Sequence, residues 1–253
     1  MKTKKKKVIK IMENIIIIIL LCVFCYATYN LYLIYKANWD ENQEIESIRD
    51  IAKLPEEYDK DFRIDINELK KVNEDVVAWI EIEGTNISYP VVQGKDNSYY
   101  LDRTFEKKEN YVGSIFMDYT ASNDFSDENT FIYGHNVKHG TMFAQLEEYM
   151  KSDFYNSHQY ITIYKEDKTL RYQIFSAYEA EGNSDSFRMD YNDEHQYQEY
   201  LEMIKSKSLY DTNVVVNNKD KIITLYTCSY DRNSFNFDEE VTMRYYIHAK
   251  LVS

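Results

Sequence analysis

Lys221-Ile222-Ile223-Thr224-Leu225-Tyr226-Thr227-Cys228 is the stretch most diagnostic of architecture, and it runs into the polar segment Ser229-Tyr230-Asp231-Arg232-Asn233-Ser234. β-Branched and aromatic residues dominate the first segment, which is the composition of a strand. Side chains of an extended chain alternate between faces, so Thr224, Tyr226 and Cys228 share one side while Ile223, Leu225 and Thr227 take the other. Cys228 thus ends a strand where the chain turns polar, and strand ends at loops are common places to display reactive side chains. A final strand is expected over Val241–Leu251. Met243, Tyr245, Ile247, Ala249 and Leu251 form its apolar face, and Arg244, Tyr246, His248 and Lys250 the opposite one. Taken alone, Arg244 reads as a solvated arginine on an outer sheet face.

Moving upstream, Val76–Ile82 and Ile87–Val92 alternate around the turn Glu83-Gly84-Thr85-Asn86, a hairpin pattern. Further strands are expected at Gly113–Met117, Thr130–Tyr133, Tyr160–Tyr164 and Thr169–Ala180. Helical spacing marks Asp40–Lys53 (closed by Pro55), Ile66–Val72 and Thr141–Tyr149. It is clearest in Asn192–Lys205, where Tyr197, Tyr200, Leu201 and Ile204 form one stripe and Asp193 with Gln196 resembles a capping box. Many short strands with few helices point to a closed or nearly closed β-barrel with helical insertions. With 6 Gly and 2 Pro in 253 residues, collagen-like and linker-like architectures are excluded, and no repeat of solenoid period is visible.

Charge is unevenly distributed. Residues 1–36 hold seven Lys and one Glu, a net of +6, so a total of −13 leaves −19 on the remainder. That balance argues against nucleic acid as a partner, because phosphate binding needs a basic footprint. Residues 14–35 carry no charge over 22 positions, which as a helix spans about 33 Å and suffices to cross a bilayer core. Six Lys precede this run and Asp40, Glu41, Glu44 and Glu46 follow it, so the positive-inside rule places the N-terminus in the cytoplasm and residues 37–253 outside. An uncleaved signal anchor is favoured over a cleavable signal peptide, because the apolar run is long and lacks a small-x-small site at its end. The expected organisation is a basic tail (1–13), a transmembrane helix (14–36), an extracellular helical region (37–75) and a β-rich main domain (76–253).

Cys22 and Cys25 fall within the apolar run, which leaves Cys228 as a single exported thiol. Without a partner for a disulfide, it is either a buried structural residue or a reactive one. His135 follows the run Phe131-Ile132-Tyr133-Gly134 and so also sits just past a strand. His135 and His139 have i, i+4 spacing, but Gly134 and Gly140 argue for a loop, and a zinc site is not expected.

Thr224-Leu225-Tyr226-Thr227-Cys228 resembles the TLxTC signature of sortases, the cysteine transpeptidases of Gram-positive cell surfaces. Phe131-Ile132-Tyr133-Gly134-His135-Asn136 resembles their histidine motif, and Arg244–Leu251 resembles their arginine strand. Tyr89–Gly94, Gly113–Asp118, Thr141-Met142-Phe143 and the helix before the cysteine strand are similar to class B members in particular. The resemblance runs in order from Trp79 to Leu251. It implies a mainly β fold: a sortase-type β-barrel with N-terminal helices and a long helix inserted before the cysteine strand, preceded by one transmembrane helix.

The resemblance implies that Cys228, His135 and Arg244 are catalytic. The thiolate attacks a threonine carbonyl in a C-terminal sorting signal (NPxTN-like or PxTG-like) of an exported protein. A thioester forms, and a peptidoglycan peptide amine or lipid-linked wall precursor resolves it. Asn97, Leu101, Ser186, Phe187, Tyr226 and Ser229 are the implied substrate contacts, and no metal or cofactor is implied. Two departures stand out. Tyr226 occupies a position where class B members often carry a small residue. Fifteen residues separate Cys228 from Arg244, in a loop with Asp231, Asp238, Glu239 and Glu240. Arg232 is the alternative arginine. A cysteine protease acting on the same signal, and a non-enzymatic anchored binding domain with Cys228 buried and inert, are the rival readings.

Overall fold

The computed structural model describes residues 2–55, 57–137, 140–228 and 243–253; of residues 2–8 and 228 it describes the backbone alone. The chain divides into two compact units, residues 1–42 and 43–253. Helix α1, Lys2–Ala52, contains the charge-free run, where an 18-residue window has a mean hydropathy of 2.3 and is not buried within the protein. By length and composition this helix can cross a membrane. The helix expected over Asp40–Lys53 is the continuation of α1.

In the second unit, eight strands close a barrel in the order β1-β2-β3-β4-β7-β8-β6-β5. They are β1 (Val76–Glu81), β2 (Ser88–Val92), β3 (Ile115–Met117), β4 (Asn129–Tyr133), β5 (Tyr160–Tyr164), β6 (Thr169–Glu181), β7 (Ile222–Cys228) and β8 (Met243–Leu251). Neighbours are antiparallel except β2 with β3 and β4 with β7, which run parallel. Helices α2 (Ile66–Lys70), α3 (Ser152–Ser157) and α4 (Glu194–Ser206) complete the regular structure, with short 3₁₀ segments at Tyr99–Leu101 and Ala144–Met150. The helix expected over Thr141–Tyr149 is therefore the tighter 3₁₀ form and begins later. Positions 241 and 242 of the last expected strand lie outside the described residues.

Strand alternation builds two cores rather than one. Inward positions Ile115, Met117, Ile132, Ile223, Leu225, Ile247 and Ala249 fill the barrel. Outward positions Phe116, Phe131, Tyr133, Ile222 and Tyr246 form a second cluster with Tyr197, Tyr200, Leu201 and Ile204 of α4 and with Ile48 and Ala52 of α1. Burying four large side chains contributes about 1.5–3 kcal/mol each, which is what holds α4 on the sheet. Its start is set by Asp193, whose carboxylate accepts from the Gln196 N–H at 2.8 Å, while the Gln196 side chain accepts from Asn192 N–H at 2.8 Å.

This outer cover corrects one expectation. Arg244, which taken alone reads as solvated, is half-buried, and Tyr246 and His248 on the same face of β8 are fully buried. Tyr200 of α4 meets His248 edge-on, with ring centroids 6.5 Å apart. The outward face of a sheet is wet only where no other element covers it, and here α4 covers it.

Candidate active site

An open cavity of about 250 Å³ lies on the outer face of the barrel. Outward positions of four adjacent strands line it: Phe116 on β3, Tyr133 on β4, Tyr226 on β7 and Arg244 on β8, joined by Asn97, Leu101, Gly134, His135, Thr227 and Phe187. The adjacency is long-range. β4 pairs in parallel with β7, setting Tyr133 against Tyr226, and β7 pairs with β8, setting Cys228 directly opposite Arg244.

His135 follows β4. Its Nε2 lies 2.7 Å from the Leu101 carbonyl oxygen. A carbonyl can only accept, so Nε2 carries a proton and Nδ1 is the ring nitrogen outside this bond. Gly113 makes that arrangement possible. It adopts φ +66°, and a Cβ there would sit 2.6 Å from the Leu101 oxygen and 3.0 Å from His135 Cδ2. No larger residue fits without displacing the carbonyl that orients the imidazole.

Arg244 is half-buried, and its Nη1 donates to the Met243 carbonyl at 2.9 Å. Its Cζ stands 5.7 Å from the centroid of the Tyr226 ring, a cation–π distance. Tyr226 in turn packs against Tyr246 (5.1 Å), Tyr133 (5.5 Å) and Phe187 (5.5 Å), and its hydroxyl donates to the Gly182 carbonyl at 3.2 Å. The bulky residue at this position therefore forms an aromatic wall on which the guanidinium rests.

The structure brings His135, Arg244, Asn97, Leu101, Phe187 and Tyr226 to one cavity. Ser186 is not among its lining residues. Its side chain is fully buried, and its Oγ accepts from Lys207 Nζ at 2.9 Å, so it braces the segment behind Phe187. The backbone of Cys228 closes β7, while its side chain, Ser229, Arg232 and His139 lie outside the described residues.

Two residues beside the cavity escaped the sequence reading. Gly113 and Asp118 bound the segment that resembles class B sortases, yet neither declares a role by pattern: one acts through the side chain it lacks, the other from inside the protein. Asp118 is buried and accepts from Tyr133 Oη at 2.7 Å. Burial pushes its carboxyl up, but hydrogen bonds from Thr120, Tyr133 and Asn97 outweigh that and hold it below the usual carboxylate range.

Residues 80–252 match the sortase domain family model. Sortase B of Listeria monocytogenes is 37% identical over 202 residues, covering 76% of this chain and 81% of that protein. Sortase B of Staphylococcus aureus is 37% identical over 199 residues, covering 79% of each. Among solved structures, a Staphylococcus aureus sortase B–substrate complex superposes with a TM-score of 0.75 at 33% identity, covering 85% of this chain and 98% of that one. Kinship at this level sets aside the reading of a non-enzymatic binding domain. The chain belongs to the sortase family of cysteine transpeptidases, in its B class.

Proposed function

We propose that this transpeptidase cleaves a C-terminal sorting signal, NPxTN-like or PxTG-like, after its threonine and joins the freed carboxyl group to a peptidoglycan amine. The observation that carries this reading is the pairing of Cys228 with Arg244 across β7 and β8, beside a cavity that Arg244 shares with His135. In the proposed reaction the Cys228 thiolate adds to the threonine carbonyl. Arg244, always charged and presenting a planar fork of donors, faces the developing oxyanion, with the Ser229 N–H as a second donor. His135, carrying on Nδ1 the proton given up by the Cys228 thiol, protonates the departing amine as the C–N bond breaks, leaving a thioester. It then takes a proton from the incoming amine, which displaces Cys228 and forms the new amide. Asn97, Leu101, Phe187 and Tyr226 are the proposed walls for an extended peptide. The apolar run of α1 would anchor the enzyme with residues 1–13 in the cytoplasm and the catalytic domain outside, where exported clients and wall precursors emerge.

The test uses the full chain in detergent with quenched fluorescent peptides of NPxTN, PxTG and LPxTG type, read by mass spectrometry with and without an added amine. Cleavage after threonine with an amine-captured product is expected, abolished in Cys228→Ala. It should fall by about 10²–10³-fold in Arg244→Ala, the effect of losing an oxyanion donor, and be retained in Arg232→Ala. Water as the only acceptor would favour the protease reading. Loss in Arg232→Ala but not Arg244→Ala would reassign the arginine.

A further inference from the structure

Behind the cavity wall, Asp118 Oδ2 accepts from Asn97 Nδ2 at 2.7 Å and from Tyr133 Oη at 2.7 Å. Its other oxygen accepts from the Thr120 N–H at 2.9 Å and from Thr120 Oγ1 at 2.6 Å. The carboxylate is buried, its four acceptor directions are occupied, and two of its donors, Asn97 and Tyr133, line the cavity. Asn97 is held at its other end too, because Oδ1 accepts from the Tyr119 N–H at 3.0 Å.

These bonds leave the carboxamide of Asn97 one possible orientation. An ionised carboxylate only accepts and a backbone N–H only donates, so Nδ2 must face Asp118 and Oδ1 must face Tyr119. One N–H and one lone pair of the amide are not used by these bonds. A peptide unit offers one acceptor and one donor, the complements of that N–H and that lone pair.

We infer that Asp118 is a positioning residue for the transpeptidation reaction, a buried clamp that fixes the Asn97 carboxamide in the orientation that pairs with a main-chain amide of the bound signal peptide. The inference rests on the reading that the cavity holds that peptide. The clamp also explains why a carboxylate stands here. In Asp118→Asn, the new side chain must keep its oxygen toward the fixed Thr120 N–H, so its NH₂ faces Asn97 Nδ2. If Asn97 flips to accept from it, its own NH₂ meets the Tyr119 N–H, donor against donor. Asn97 then has no satisfied orientation and withdraws. Displacement of a substrate-positioning group by about 1 Å costs on the order of a hundredfold in rate.

The experiment combines peptide kinetics with one spectroscopic signature on the full chain in detergent. Asp118→Asn is expected to lower kcat/KM by about tenfold to a hundredfold. Asn97→Ala should lose a similar factor, and the double variant should lose no more than Asn97→Ala alone, because Asp118 acts through Asn97. Thr120→Val, which removes a donor from the far oxygen and leaves the Asn97 bond in place, should keep most of its activity. A purely structural carboxylate predicts otherwise: Asp118→Asn and Thr120→Val would both lower Tm, with losses multiplying in the double variant, and that outcome would overturn the inference. If Asp118→Asn fails to fold, the wild type still decides. With ¹⁵N-labelled asparagine, and Asn97→Ala to assign the signal, the Asn97 amide should show two well-separated protons, one exchanging slowly with water. A pair that exchanges freely would refute the clamp. A wild-type chain that cleaves none of the peptides would overturn the functional reading instead, and the amide signal would still decide the clamp.

Discussion

Acidification should destabilise this protein from a site away from the groove lining. His248 is fully buried on the outer face of β8. Thr224 has one hydroxyl proton, and it goes to Asn129 Oδ1 at 2.7 Å, so the 2.9 Å contact between Thr224 Oγ1 and His248 is donated by His248 Nδ1–H. Nε2 then accepts from the Tyr178 hydroxyl at 3.0 Å. A second proton on Nε2 would force the Tyr178 hydroxyl to turn from donor to acceptor and place a charge among Phe175, Tyr178 and Tyr246. Burial first, and the positive charge of Lys207 second, push the imidazole pKa down to about 3. The folded value lies below the unfolded one of about 6.5, so this stabilisation is complete above pH 6.5 and is lost as pH falls toward 3. Between pH 7.5 and pH 5 the linked loss is about 2 kcal/mol, or about 4–8 °C in Tm for a unit of this size. Most carboxylates do not titrate in that window, and the remaining histidines cancel when wild type is compared with His248→Gln, whose own cost does not depend on pH. Urea unfolding of segment 43–253 at several pH values should show the gap between the two proteins narrowing by about 2 kcal/mol from pH 7.5 to pH 5. A gap that stays constant across this range would refute the reasoning.

Other perturbations have equally definite outcomes. Gly113→Ala puts a Cβ against the Leu101 carbonyl and His135 and strains a positive-φ site, so unfolding should cost about 1–2 kcal/mol less. Displacement of the imidazole should lower kcat/KM on the order of a hundredfold in the peptide assay. Tyr226→Ser removes the ring beneath Arg244; losing a cation–π contact of about 0.5–1 kcal/mol should lower kcat/KM about twofold to fivefold for the preferred peptide. Asp193→Ala removes the cap of α4 and should lower stability by about 1 kcal/mol in urea titration, with kcat unchanged.

Much of the architecture is legible in the chain because its causes are local. Alternation in Ile222–Cys228, the stripe Tyr197, Tyr200, Leu201, Ile204 and the Asp193 cap each follow from the geometry of a single segment. Short segments without strong periodicity were less legible: the 3₁₀ turn at Tyr99–Leu101 and α3 have no apolar stripe long enough to register. The cavity-lining residues Asn97, Leu101 and Phe187 were named by resemblance and not by periodicity, because nothing in Asn97 or Phe187 alone separates a cavity wall from an ordinary loop. Ser186 shows the limit of that route. The resemblance names it as a contact, yet the braced loop turns it inward to Lys207.

By itself, then, the sequence determined which segments are strands and helices, which side chains share a face, where the apolar run lies and which residue types were present for thiol chemistry. Only the tertiary structure decided which face is covered and which stays open. Period-two alternation sorts Tyr246 and His248 from Ile247 and Ala249, but it cannot say that α4 closes over the outer face and buries the first pair as deeply as the second. Nor does it set Tyr133 against Tyr226, or supply Asp118 and Gly113 as the buried supports of Asn97 and His135. Those pairings join residues far apart in the chain, and their energies exist only once the barrel has closed.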